Sequence, residues 1–135
     1  MIVLDSSAAV EALRNTDEGA AIRSVLGNNE PVVSCDLLRV EVASVLRKFV
    51  LTRQISTREA SEHLDEAISF IDTFHSIASL QTEALAESIR LEHSVYDMFY
   101  FVLARRTQGT LFTTDMQLLK LSEQHGVPCM TLIDF

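Results

Sequence analysis

Few residues in this chain interrupt regular secondary structure. It has only four Gly and two Pro among 135 residues, and it contains no low-complexity stretch, internal repeat or linker. This scarcity favours a helix-rich fold with short connections. The length is close to the commonest size of one domain, so we expect a single domain over residues 1–135.

Residues that could bind zinc or form disulfides are also scarce. The chain has two cysteines, Cys35 and Cys129, which lie far apart and lack the C-x-x-C spacing of zinc and redox sites. We expect both to be buried, reduced thiols of a cytosolic protein. Neither H-x₃-H nor H-E-x-x-H spacing occurs, so the four histidines are predicted to be structural or surface residues: His63, His75, His93 and His125.

No segment resembles a targeting sequence or a membrane span. The N-terminus reaches Asp5 without the basic region and long apolar region of a signal peptide. The longest uncharged apolar stretch, near Phe99, is too short to cross a bilayer. We therefore expect a cytoplasmic protein with no membrane contact.

Basic residues are outnumbered by acidic ones. Eleven Lys and Arg accompany nineteen Asp and Glu, which gives a formal net charge of −8. This balance argues against tight electrostatic binding of duplex nucleic acid, which usually needs a basic surface. It does not exclude an enzyme that contacts phosphate through a metal ion, because bound cations reverse the local charge. Apolar residues make up 47% of the chain, enough for a sizeable core.

Short apolar runs alternate with helical segments along the chain. The apolar runs predict strands over residues 2–5, 31–34, 110–113 and 129–133, with a further short strand within 73–78. Apolar spacing and capping residues predict helices over residues 6–14, 17–26, 36–51, 57–70, 80–92, 95–107 and 116–125. This alternation implies a parallel sheet that is covered by helices on both faces.

Two acidic residues lie at the ends of predicted strands. Asp5 closes the first strand, and Asp115 follows the strand over residues 110–113. In open parallel sheets, binding sites form outside the carboxyl ends of the strands, where both carboxylates are expected. The alternative for each is that it is only the N-cap of the helix that follows.

Two further acidic residues have apolar or small neighbours within predicted helices. Glu41 has no Lys or Arg three or four residues away, so an intrahelical ion pair is excluded and a surface position is the alternative. Asp97 is the only charge between Ser94 and Ala104, and its alternative role is a capping box with Ser94. An isolated charge in such surroundings is costly unless it is paired or bound to metal.

Clustered carboxylates would raise one another's pKa values unless a cation compensates their charge. Oxygen-only ligands favour Mg²⁺ or Mn²⁺ over zinc. No nucleophilic triad or P-loop is apparent, so the sequence does not indicate a covalent or NTP-driven mechanism.

The four acids occur in four ordered motifs. These are Ile2-Val3-Leu4-Asp5-Ser6-Ser7, Arg39-Val40-Glu41-Val42, Tyr96-Asp97-Met98-Phe99 and Leu111-Phe112-Thr113-Thr114-Asp115. In order and context they resemble the PIN-domain family, especially the VapC-type toxins of bacterial toxin–antitoxin pairs. The resemblance covers nearly the whole chain. It departs from the family at Met98 and Phe99, where small residues are common.

The resemblance implies a three-layer α/β/α sandwich around a central parallel sheet of four to five strands. It also implies Mg²⁺- or Mn²⁺-dependent cleavage of single-stranded or looped RNA. The four acids would be the catalytic metal ligands, directly or through water, and Glu41 could instead position the attacking water. Ser6 and Thr113 would support these ligands or contact phosphate.

The same resemblance implies two protein partners. One is a cognate small antitoxin, whose C-terminal segment would wrap around the protein and place a basic residue near the acids. The other is a second copy of the chain, in a homodimer. A partner helix could lie between residues 6–26 and 36–51, although most apolar candidates there also fit a core: Val10, Leu13, Ile22, Leu38, Val45 and Phe49.

Two rival interpretations remain. The first is a binding module that keeps the fold but has weak or no catalysis and acts through a protein partner. The second is an Mg²⁺-dependent phosphatase or receiver-like domain. It fits poorly, because Asp5 is not followed by a D-x-D pattern and Lys120 lies inside a predicted helix rather than after a strand.

Overall fold

Five strands form one parallel sheet in the computed structural model, which describes residues 1–131. They are β1 (Ile2–Leu4), β2 (Val32–Cys35), β3 (Thr73–His75), β4 (Thr110–Phe112) and β5 (Cys129–Met130). Their order across the sheet is β3-β2-β1-β4-β5. The first strand of the chain is therefore the central one, and the chain builds the sheet outwards on both sides of it.

Seven helices accompany the sheet in the described part of the chain. They are α1 (Ser6–Ala12), α2 (Asp17–Leu26), α3 (Leu37–Leu51), α4 (Thr57–Ser69), α5 (Ile77–Leu91), α6 (Val95–Thr107) and α7 (Met116–Gln124). The predicted parallel sheet between helices is confirmed, with five strands. Up to residue 131, none of the helices combines the length and apolarity that crossing a bilayer requires.

The strand register brings the ends of β1 and β4 together. Leu4 pairs with Phe112, so the residues that follow them, Asp5 and Thr113, lie side by side at the carboxyl edge of the sheet. On the other side of β1, Val3 pairs with Val33 of β2. This register places the start of α1 next to the turn between β4 and α7.

The core lies on both sides of β1. All three residues of that strand are buried, as expected for a central strand covered on two faces. In α6, every residue from Met98 to Ala104 is buried, although a helix at a protein surface normally buries one face. Asp97 therefore belongs to a helix that is largely buried, and Asp5 directly follows the buried central strand.

The largest boundary difference concerns the segment after β3. We predicted a strand within residues 73–78 and a helix from residue 80, but α5 already begins at Ile77. Ser76 is its N-cap, and the Ser76 hydroxyl accepts a hydrogen bond from the backbone N–H of Ala78. The cap therefore stops the strand earlier than its apolar residues suggested. Of the predicted strand over residues 129–133, β5 covers the first two, and residues 132 and 133 lie outside the described part.

Both cysteines are free thiols, as predicted. Cys35 is buried, and Cys129 is only half-buried. Burial raises the pKa of each thiol to about 11, so both are protonated at neutral pH.

Candidate active site

Asp5 is a buried carboxylate held by three hydrogen bonds. It is 3% exposed and is the N-cap of α1. Its Oδ1 accepts from the Ser7 hydroxyl at 2.7 Å and from the backbone N–H of Ala8 at 2.9 Å. Its Oδ2 accepts from the Thr113 hydroxyl. Burial raises the pKa of Asp5 to about 6 even though these three hydrogen bonds lower it.

Thr113 and Ser7 join the turn after β4 to the start of α1. Thr113 is fully buried, and its Oγ1 accepts a hydrogen bond from the backbone N–H of Asp115 at 3.0 Å while its hydroxyl donates to Asp5. Ser7 Oγ accepts from the backbone N–H of Thr114 at 3.0 Å. Asp5 and Asp115 are thus linked through one threonine side chain.

Asp115 is the N-cap of α7. Its Oδ1 accepts from the backbone N–H groups of Gln117 and Leu118, at 2.9 Å and 3.3 Å. The capping interpretation is therefore confirmed for Asp115, as it is for Asp5. It does not exclude a second role, because the Oδ2 of Asp115 accepts no hydrogen bond within residues 1–131.

Asp97 lies in the first turn of α6, and its partner is a histidine. The alternative role, a capping box with Ser94, is wrong, because the Ser94 side chain makes no capping hydrogen bond. Instead, Nε2 of His93 lies 2.7 Å from Oδ2 of Asp97. Burial raises the pKa of Asp97, the His93 contact opposes this, and the negative charge of Asp115 raises it further.

Glu41 lies in the second turn of α3 and is half-buried. Its Oε1 accepts from the Tyr100 hydroxyl at 2.6 Å and from the Ser6 hydroxyl at 3.2 Å. Burial, followed by the charge of Glu41, raises the pKa of Tyr100, so the phenol is a permanent donor to this carboxylate.

The charges of these carboxylates act on one another. Asp97 raises the pKa of Asp5, Asp115 raises that of Asp97, and both Glu41 and Asp5 raise that of Tyr100. None of the four acids forms an ion pair with a Lys or Arg in the described part of the chain. These four residues therefore form an acidic cluster with no Lys or Arg counter-charge among the described residues, and His93 is the basic side chain that contacts Asp97.

A family model described as the PIN domain matches residues 2–124. The chain belongs to the PIN-domain family. Two relatives, both from Mycobacterium tuberculosis, are named as ribonucleases. Ribonuclease VapC1 is 30% identical over 129 residues, which cover 94% of this chain and 92% of the relative. Ribonuclease VapC12 is 33% identical over 127 residues, which cover 93% of each chain.

Solved structures show the same PIN fold at lower sequence identity. PAE2754 from Pyrobaculum aerophilum has a TM-score of 0.78 at 20% identity, covering 98% of this chain and 84% of that one. VapC20 from Mycobacterium tuberculosis, described as a sarcin-ricin loop cleaving toxin, has a TM-score of 0.71 at 16% identity, covering 90% and 95%. VapBC2 from Rickettsia felis, bound to a promoter DNA fragment, has a TM-score of 0.69 at 14% identity, covering 97% and 98%.

Three side chains that contact the acids of this PIN domain were missed by sequence reasoning, namely Ser7, His93 and Tyr100. Ser6, which was expected to support one of the acids, contacts Glu41, and the neighbouring Ser7, which was not singled out, contacts Asp5. His93 could have been found, because it lies four residues before Asp97, the spacing at which helical side chains meet. Tyr100 gave no such signal, because its contact with Glu41 depends on how α3 and α6 pack.

Proposed function

We propose that this protein is a metal-dependent endoribonuclease that cleaves single-stranded or looped RNA in the cytoplasm. We propose further that it is the toxin of a toxin–antitoxin pair. The observation that carries the proposal is the acidic cluster without a Lys or Arg counter-charge among the described residues, in a PIN domain whose relatives are named Ribonuclease VapC. Such a cluster repels a phosphate backbone unless a cation lies between them.

The donor set fits Mg²⁺ or Mn²⁺. All four acids offer carboxylate oxygens. Burial, with a smaller contribution from a neighbouring carboxylate, raises the pKa values of Asp5 and Asp97, and a divalent cation would offset both effects. Up to residue 131, no group of three or more His, Cys, Asp or Glu side chains converges closely enough to hold an ion by itself. The acids could still hold an ion through bridging water molecules, because Mg²⁺ usually keeps several of its water ligands.

The four acids divide into two proposed roles. Asp5, Asp97 and Asp115 would hold the cation, and Glu41 would hold it or orient the attacking water. A cation bound there would lower the pKa of a water and neutralise charge on the phosphate. Thr113 and Ser7 keep Asp5 oriented through their hydrogen bonds, and Ser6 does the same for Glu41.

The test is cleavage of a single-stranded RNA with Mg²⁺ or Mn²⁺ and with excess EDTA. Asp5→Asn and Asp115→Asn remove a charge but keep an oxygen that can cap the helix, so they should fold and lose cleavage. Thr16→Ala is the matched control, because it removes the N-cap of α2 outside the acidic cluster and should retain cleavage. Activity that persists in EDTA would contradict the metal mechanism.

The proposed antitoxin would bind along the helices beside the acids. A cavity of about 280 Å³ lies between α1 and α3, lined by Val10, Leu13 and Phe49 among others. A second cavity of about 390 Å³ adjoins it between α3 and α4, and both are lined by Leu46. Ile22 and Leu38 were also candidates for this surface, but both are fully buried, so they belong to the core and cannot contact a partner.

Co-expression with the product of the neighbouring gene tests this partner. A stable complex that suppresses RNA cleavage, and that weakens when a C-terminal Arg or Lys of the partner is replaced, supports the antitoxin proposal. Arg is suited to this role because its guanidinium can make two parallel hydrogen bonds to a carboxylate. A neighbour that neither binds nor inhibits would remove the toxin proposal and leave the nuclease proposal intact. Light scattering of the free protein tests the proposed homodimer.

A binding module is the second candidate, and the lack of a preformed three-ligand group among the described residues favours it. Such a module would bind its partner equally well before and after Asp5→Asn, and the wild-type protein would show no metal-dependent cleavage. Loss of cleavage in the variant with intact partner binding would establish the enzyme.

A further inference from the structure

The histidine beside Asp97 is itself held firmly in place. His93 lies between α5 and α6, and its side chain is 14% exposed. Its backbone N–H donates to the carbonyl of Ser88 at 3.2 Å, and its own carbonyl accepts from the Ser88 hydroxyl. The C-terminal end of α5 therefore fixes the backbone that carries the imidazole.

The imidazole restrains only one oxygen of its partner. Nε2 of His93 contacts Oδ2 of Asp97 at 2.7 Å, while Oδ1 of Asp97 accepts no hydrogen bond from any described residue. The capping box that would pair this carboxylate with the backbone N–H of Ser94 is not formed. A proton on Nε2 is present both in the charged imidazole and in one neutral tautomer, so His93 can donate in either form.

We propose that His93 is a positioning residue that orients the Asp97 carboxylate and leaves Oδ1 for a divalent cation. This inference rests on the proposed metal-dependent function. A carboxylate that turns freely loses rotational freedom when it binds a cation, and a prior hydrogen bond reduces that loss. Hydrogen-bond partners of metal ligands typically change metal affinity or activity by about 10- to 100-fold when they are removed.

The experiment measures Mn²⁺ affinity by isothermal titration calorimetry, together with RNA cleavage as a function of Mn²⁺ concentration. His93→Leu removes the donor, and His93→Gln keeps an N–H donor near the position of Nε2. His63→Leu is the matched control, because His63 lies 3.6 Å from Glu66 in another histidine–acid pair, on α4.

We expect His93→Leu to weaken Mn²⁺ binding by about 10- to 100-fold, His93→Gln to recover most of the affinity, and His63→Leu to match wild type. Because the defect lies in metal affinity, saturating Mn²⁺ should restore kcat in His93→Leu. A residue that only supported the fold would not give this dependence on metal concentration.

Two results would overturn the inference for different reasons. If His93→Leu binds Mn²⁺ as tightly as wild type while Asp97→Asn does not, His93 has no positioning role and the proposed nuclease stands. If wild type neither binds Mn²⁺ nor cleaves RNA, both proposals fail. If His93→Leu does not fold, His93→Gln is compared with His93→Asn, whose shorter amide does not reach the Nε2 position. Equal Mn²⁺ affinity in those two variants then overturns the inference.

Discussion

The Tyr100 hydroxyl donates a hydrogen bond to Oε1 of Glu41 at 2.6 Å, across 59 residues of sequence. Tyr100 is 1% exposed, so its hydroxyl has little access to water. Glu41 is only half-buried and also accepts from Ser6. The buried Tyr100 hydroxyl therefore needs Glu41 as its hydrogen-bond acceptor, whereas the half-buried Glu41 carboxylate has Ser6 and solvent as other donors.

This asymmetry predicts the outcome of a double-mutant cycle. Glu41→Ala leaves a buried hydroxyl without its acceptor, so it should cost more stability in the wild-type background than in the Tyr100→Phe background. We expect a coupling energy of about 1.5–3 kcal/mol, typical of hydrogen bonds to charged groups. Relief of repulsion among the acids occurs in both backgrounds and cancels. Urea unfolding of the four proteins without metal measures the coupling, and additive effects would contradict the dependence.

Asp5 should make the metal-free protein less stable as the pH rises. Its pKa is about 6 in the folded state and 3.8 ordinarily, so between these values the folded state binds more protons than the unfolded state. The free energy of unfolding therefore falls with rising pH in this window, by up to about 1.4 kcal/mol per pH unit from this group.

Asp5→Asn cannot titrate and isolates that contribution. We expect the stability of this variant relative to wild type to increase from about pH 4 to about pH 6 and then to level off. Chemical unfolding at a series of pH values in EDTA measures the difference. Parallel stability curves for the two proteins would show that Asp5 has an ordinary pKa.

Divalent metal should raise the melting temperature, because an ion that binds only the folded state stabilises it by mass action. Asp97→Asn should shrink this response by removing a proposed ligand. Without metal, the same variant should melt no lower than wild type, because burial and the charge of Asp115 both disfavour an ionised Asp97. Thermal unfolding with and without Mn²⁺ tests both statements, and an unchanged metal response excludes Asp97 as a ligand.

The strands, the helices and the order of the four acids could be read from the sequence, because these features are local. Asp5 and Asp115 follow apolar strands, and the carboxyl ends of parallel strands meet at one edge. The contacts that orient the acids were less accessible. Whether Ser6 or Ser7 faces Asp5 depends on the angle at which α1 leaves β1, and the Tyr100–Glu41 contact depends on the packing of two helices. The apolar spacing of Ile22 and Leu38 could not show whether these side chains lie in the core or on a surface that binds a partner.

Gly19 is required by the close approach of α2 to the end of α1. A Cβ atom there would overlap the backbone carbonyl oxygen of Arg14 and lie 2.8 Å from that of Glu11. Gly19→Ala should therefore force a backbone shift that costs about 1–3 kcal/mol or more. Gly27→Ala is the control, because its nearest contact would be an ordinary 3.4 Å, and it should change stability by less than about 0.5 kcal/mol. Equal melting temperatures of the two variants would contradict this packing.

The position of β1, first in the chain and central in the sheet, has a consequence during translation. The hydrogen bond from Thr113 to Asp5 spans 108 residues, so the growing chain cannot form it until nearly all of that length has left the ribosome. Contacts between such distant residues form late in folding, because the intervening chain must be ordered or looped first. A nascent molecule would therefore carry Asp5 without its Thr113 partner while the 107 residues between them are being added, so the buried carboxylate acquires its orientation only late in folding.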